Sequence, residues 1–100
     1  SVPRLPFALE LIAEGFVPGG SEKNLSYVEP STSFDASVAP EERLLLADAQ
    51  TSGGLLLVVP PAREADLLAG LERAGTAAAS VIGEIVEGEP GEIEVSAQGV

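Results

Sequence analysis

The chain reads as an α/β domain: a two-layer, ferredoxin-like βαββ half with further helices at its N-terminal side, packed on a mixed sheet. Two patterns carry this reading. In the second half, the apolar run Leu55-Leu56-Leu57-Val58-Val59 is stopped by Pro60-Pro61. It is too short for a helix and has no polar face, which suits a buried strand. A helical pattern and then two stretches of period two follow it, giving strand, helix, strand, strand. In the first half, prolines and acidic residues open short helical patterns separated by loops. A chain of 100 residues makes one small domain, residues 1–100, with a modest core.

In chain order, residues 3–14 are expected to be helical. Pro3 and Pro6 suit a first turn, where a missing N–H has no partner to lose. Leu5, Ala8, Leu9, Ile12 and Ala13 form an apolar stripe, Glu10 and Glu14 face away, and Gly15 is placed as the left-handed cap. Pro18-Gly19-Gly20 marks a turn in a loop over 16–20. Ser21 reads as the N-cap of a short helix over 22–28, with Asn24 at the capping-box position. Residues 29–39 read as a surface connection pinned by Phe34 and Val38. Pro40 opens a helix to Leu46, with Glu41 and Glu42 where the helix dipole favours acids.

The first strand covers 54–59. Pro61 starts a helix through Ala74, with Leu67, Leu68, Leu71 and Ala74 as its buried stripe, and Gly75 stops it. Residues 77–86 are expected as a strand, 87–91 as a hairpin turn, and 92–95 as a strand pairing back antiparallel. If the first two strands lie side by side or one apart, they are expected to be parallel, through a right-handed crossover. The tail from Ser96 is expected to fray. The start at Ser1, running straight into Val2-Pro3-Arg4-Leu5-Pro6, reads as an interior point of a longer protein.

Composition narrows the function. Sixteen Asp and Glu against five Lys and Arg give a net charge of −11. Nucleic acid and anionic membrane need a basic footprint, so neither is expected as a partner. No apolar run is long enough to span a bilayer, and no signal peptide opens the chain. The chain has no Cys and no His. That removes disulfides, thiolate and imidazole ligands, and Ser-His catalysis from its own repertoire. Carboxylates, hydroxyls, Gln, Asn, one Lys and loop amides remain.

One polar loop, Asp48-Ala49-Gln50-Thr51-Ser52-Gly53-Gly54, feeds the first strand and carries several of these groups. Gln50, Thr51 and Ser52 can donate hydrogen bonds to phosphate or its waters. Gly53 and Gly54 can offer backbone N–H groups and adopt angles closed to other residues. Asp48 either caps the turn or holds a metal through water. A second, weaker candidate is Gly19-Gly20 with Lys23 and Asn24. Close approach to an anion, with Lys23 meeting its charge, stands there against a plain turn and a solvated Lys.

The loop also carries a resemblance. Asp48-Ala49-Gln50-Thr51-Ser52-Gly53-Gly54-Leu55-Leu56 resembles the motif that opens a strand in the C-terminal domain of selenophosphate synthetase (selenide, water dikinase). That family belongs to the superfamily of aminoimidazole ribonucleotide synthetase relatives. Gly15-Phe16-Val17-Pro18-Gly19-Gly20 followed by Asn24, and Ala79-Ser80-Val81-Ile82-Gly83-Glu84-Ile85, resemble two further stretches of the family. The three lie in family order and cover most of the chain.

The resemblance implies an α/β C-terminal domain of a cytoplasmic enzyme that makes selenophosphate from ATP, selenide and water with magnesium. Family members carry a reactive Cys or selenocysteine, a Lys and magnesium-binding carboxylates in an N-terminal ATP-binding domain. Another metal-binding Asp lies in a Thr-Asp-x-Thr-Gly-Phe-Gly stretch. None of these stands in this chain. The resemblance therefore implies a catalytically silent piece with no metal of its own, whose partner is the missing N-terminal domain and whose loop 48–54 lies near the interdomain active site. A homo-oligomer is also expected, because a piece of a domain exposes apolar surface and strand edges. Two alternatives stay open: a noncatalytic ligand-binding module and a dimerisation module of the same superfamily.

Overall fold

The computed structural model describes residues 1–97. It contains α1 (Ala8–Ala13), α2 (Gly19–Val28), a 3-10 turn (Glu29–Ser31), β1 (Thr32–Phe34), α3 (Pro40–Leu46), α4 (Pro61–Arg73) and β2 (Ile93–Val95). The chain is thus α/β, as its patterns predict. None of these helices is long and apolar enough to cross a membrane.

Helix α1 is shorter than residues 3–14. Each proline pushes the residue before it out of the helical region, so Val2 and Leu5 cannot continue a helix into Pro3 and Pro6. The helix starts only after Phe7, which takes a left-handed φ of 65°. Its end follows the expected design. Gly15 has φ 90°, its N–H donates to Ile12 O at 2.9 Å, and Phe16 N–H donates to Leu11 O at 3.0 Å. Those two bonds satisfy carbonyls the helix leaves open. Helix α4 closes in the same way: Gly75 has φ 75°, and Gly75 N–H and Thr76 N–H donate to Glu72 O and Leu71 O.

Helices α1 and α2 both pack on α3, while α4 touches the other elements only sparsely. Ala8, Leu9, Ile12, Leu25, Val28, Leu44 and Leu45 are half-buried between the packed helices and their surroundings. Arg4 reaches Glu42 at 3.4 Å, and Glu42 also accepts from Ala39 N–H at 3.1 Å, which caps α3. Arg43 joins α3 to the sheet: its Nε donates to Val38 O at 3.1 Å, and its guanidinium lies 5.0 Å from the Phe34 ring centroid.

The sheet departs from the expected topology. β1 lies inside the stretch 29–39 expected as a surface connection, and it pairs parallel with β2, with Thr32 opposite Ile93 and Phe34 opposite Val95. Asp35 N–H extends the ladder to Val95 O at 2.8 Å. Beyond the strand, the Ser37 hydroxyl and backbone N–H both donate to Asp35 Oδ1, which holds that carboxyl below its ordinary value of 3.8. The parallel pair needs a long crossover, which the segment carrying α3 and α4 supplies.

Residues 92–95 therefore do not pair back on 77–86, and neither 54–59 nor 77–86 forms a strand among the described residues. An apolar run supplies side chains for a strand but not the ladder partner that satisfies its backbone. The ferredoxin-like βαββ half is accordingly not formed within the described residues. Residues 87–91 do bend, with Gly91 at φ 89° and Glu92 N–H donating to Glu89 O. The frayed tail expected from Ser96 lies partly, at 98–100, outside the described residues.

The outcome is an open molecule. Among the described residues only Val38 (4 % exposed) and Ser21 (1 % exposed) are fully buried, whereas Leu55 and Leu56 are 88 % and 75 % exposed. The accessible surface is 8128 Å²; a folded monomer of 10.2 kDa exposes about 5,300 Å². The radius of gyration is 14.9 Å, against roughly 13 Å for a compact 100-residue domain.

Candidate functional site

The loop 48–54 leaves the C-terminal end of α3 and runs past the first half of α2. Its root is clamped to that helix. The Ser21 hydroxyl donates to Asp48 Oδ1 at 2.7 Å and accepts from Ala49 N–H at 3.1 Å. One turn on, Asn24 Nδ2 donates to Ala47 O at 3.1 Å. A Cβ on Gly20 would stand 2.9 Å from the Ala49 Cβ, closer than such atoms pack, so the loop passes where only glycine leaves room.

The tip is different. Gln50, Thr51, Ser52, Gly53 and Gly54 are all exposed. A Cβ on Gly54 would meet nothing within 4 Å, and one on Gly53 only the Gln50 Oε1 at 3.9 Å. Neither glycine has a positive φ, so the special backbone angles expected at Gly53-Gly54 are absent. Two shallow surface hollows lie elsewhere, one along residues 4–10 and one between Val59, Pro60, Arg63, Asp66 and Leu67. The loop tip is exposed and lines neither of them.

The second candidate group is redistributed. Gly19 and Gly20 are the first residues of α2, not a loop, and Pro18 holds the N-cap position with no side-chain cap. The structure brings Gly20 and Asn24 to the root of loop 48–54. Lys23 stays exposed and enters none of the ion pairs formed among the described residues. Ser21, expected as an N-cap, sits inside the helix as the centre of the clamp. A Ser just after Pro-Gly-Gly and before Glu22 looks like a cap in one dimension. Nothing local reveals that its hydroxyl meets a loop 27 residues away.

Among the described residues no three Asp or Glu side chains converge as a metal site would require. Asp48 itself has one carboxylate oxygen engaged by Ser21. The loop can offer exposed amide, hydroxyl and backbone N–H groups on a fixed root, and a ligand there needs a second wall.

A selenide, water dikinase of Pelobacter propionicus is 44 % identical over 86 residues, 86 % of this chain and 25 % of that protein. One from Carboxydothermus hydrogenoformans is 38 % identical over 94 residues, 94 % of this chain and 27 % of its own length. One from Bordetella bronchiseptica is 44 % identical over 97 residues, 94 % and 26 %. The chain spans about a quarter of the length of these curated relatives. No solved structure gives a significant match. The model of the AIR synthase related protein C-terminal domain matches residues 11–96, which include α2, α3, α4, both strands and the last half of α1, and the chain belongs to that family.

Proposed function

We propose that the chain is the later part of the C-terminal domain of a selenide, water dikinase, a cytoplasmic enzyme that makes selenophosphate from ATP, selenide and water. In this reading the piece supplies scaffold and one wall of the interdomain active site, and it is inactive alone. Its partner is the N-terminal ATP-binding domain, which holds magnesium and the reactive residue. The carrying observation is the loop 48–54: its root is clamped through Ser21 and Asn24, and its polar tip is exposed and lines neither surface hollow. A positioned, solvent-facing row of donors suits one wall of a site. The names of the relatives support the same reading. In the whole domain, the apolar stretches 54–59 and 77–86 pair in the mixed sheet of the βαββ pattern.

The test is made in the full-length enzyme. Gln50→Ala, Thr51→Ala and Ser52→Ala each remove one polar group from an exposed position. A hydrogen bond to a charged group is worth about 1.5–3 kcal/mol, so a contact made only in the transition state lowers turnover on the order of ten- to a hundredfold. Melting temperatures are expected to stay at the wild-type value. Wild-type turnover in all three variants removes the loop from the active site. Magnesium-dependent ATP turnover by the highly purified 100-residue chain overturns the claim that it is silent alone.

A second reading, a dimerisation module, draws on the exposed apolar stretches. It is distinguished by association of the chain without any effect of the loop substitutions.

A further inference from the structure

We infer that Ser21 is the positioning residue of the loop 48–54, a latch that sets where the loop tip stands. The inference rests on the reading that this loop contributes to the active site, and it assigns a role to a residue outside the loop.

Three observations converge. Ser21 is one of only two fully buried residues among those described, in a molecule that leaves most of its apolar side chains exposed. A buried hydroxyl is unfavourable unless its hydrogen bonds are made. Here donor and acceptor are both used, and both go to the loop root: Oγ–H to Asp48 Oδ1 at 2.7 Å, and Ala49 N–H to Oγ at 3.1 Å. Simultaneous donation and acceptance fix the position of the root and the orientation of the Asp48 carboxylate. The surrounding contacts serve the same three residues. Asn24 holds Ala47 O, and the bare Cα of Gly20 lets Ala49 approach. The root is held from α2 at 47, 48 and 49, and the exposed tip begins at the next residue.

A merely structural serine would contribute to global stability. A latch governs local order of the loop and, through it, the geometry of the reacting groups, where a misplacement of about 1 Å costs up to roughly a hundredfold in rate.

The experiment has two readouts. In the full-length enzyme, hydrogen exchange of the Ala49 amide is measured for wild type, Ser21→Ala, Ser21→Thr and Asp48→Ala. The last cuts the same pair from its half-buried side, in case the buried substitution does not fold. In the full-length enzyme, kcat and KM for ATP are measured for the same variants.

Ser21→Ala and Asp48→Ala are expected to speed exchange at Ala49 about tenfold. They are also expected to lower kcat about tenfold with KM for ATP little changed. Ser21→Thr, which keeps the hydroxyl, is expected to restore both. Unchanged Ala49 exchange in both latch variants overturns the inference whatever turnover does. Faster exchange with wild-type kcat, while the loop alanine variants lower kcat, also overturns it, because the loop is then used without being latched. Wild-type turnover in the loop alanine variants instead removes the active-site reading of the loop, and with it the positioning role. The exchange result then shows separately whether the latch itself forms.

Discussion

Two adjacent glycines at the start of α2 have opposite reasons to exist. Gly19 has open space where a Cβ would go, whereas a Cβ on Gly20 would stand 2.9 Å from the Ala49 Cβ. Replacing glycine by alanine in a helix gains up to about 1 kcal/mol from backbone entropy, and overpacking costs roughly 1–3 kcal/mol. Gly19→Ala is therefore expected to leave stability unchanged or raise it slightly. Gly20→Ala is expected to lower it or displace the loop root. Melting curves of the two variants side by side check this, and a Gly20→Ala protein as stable as Gly19→Ala contradicts the close approach. At this scale the sequence was legible where a residue's backbone decides its role: Gly15 and Gly75 both end helices in the left-handed conformation. It was not legible where a side chain's distant partner decides, as at Ser21. Nor was it legible at Gly53-Gly54, where a doublet read as conformational need takes ordinary angles.

Elements that satisfy their own backbone were the ones sequence patterns located. The helix over 61–74 and the short helix opened by Pro40 stand where proline, acids and apolar spacing put them. Strands depend on partners, and partners are long-range: the apolar run at 54–59 predicted a strand and forms none among the described residues, whereas Thr32–Phe34, with little apolar content, pairs with Ile93–Val95. The short sheet is tied to the helices through Arg43, which bonds Val38 O and lies over Phe34. A hydrogen bond from a charged group and a partly exposed cation–π contact together are worth about 2 kcal/mol. Arg43→Ala is expected to destabilise the chain by that amount in urea unfolding. Arg43→Lys is expected to recover only part of it, because an ammonium lacks the Nε donor geometry. Full stability in Arg43→Ala means that α3 and β1 are held together by other contacts.

For the whole molecule, the decisive quantity is uncovered apolar surface. The 8128 Å² of accessible area exceeds the roughly 5,300 Å² of a compact chain of this mass. The excess is on the scale of a large protein–protein interface. The exposed apolar side chains include Leu55, Leu56, Val58, Ile85 and Val86. Such patches drive association, and among the described residues β1 and β2 pair only with each other, so each offers a second edge to another strand. The 100-residue chain is expected to form a dimer or larger oligomer at high concentration. Sedimentation that finds a monomer across a wide concentration range counts against this.

The exposed leucines and valines share one chain with a net charge of −11, and the two act over different ranges. Apolar attraction works only at contact. Like-charge repulsion reaches about 30 Å at 0.01 M salt, about 10 Å at 0.1 M and about 3 Å at 1 M. Against a molecular radius of gyration of 14.9 Å, two copies in dilute buffer repel before their surfaces meet, and in strong salt only as they touch. Ionic strength therefore acts as a gate on encounter: adding salt is expected to speed association and tighten it. An interface built from opposite charges responds in the reverse direction.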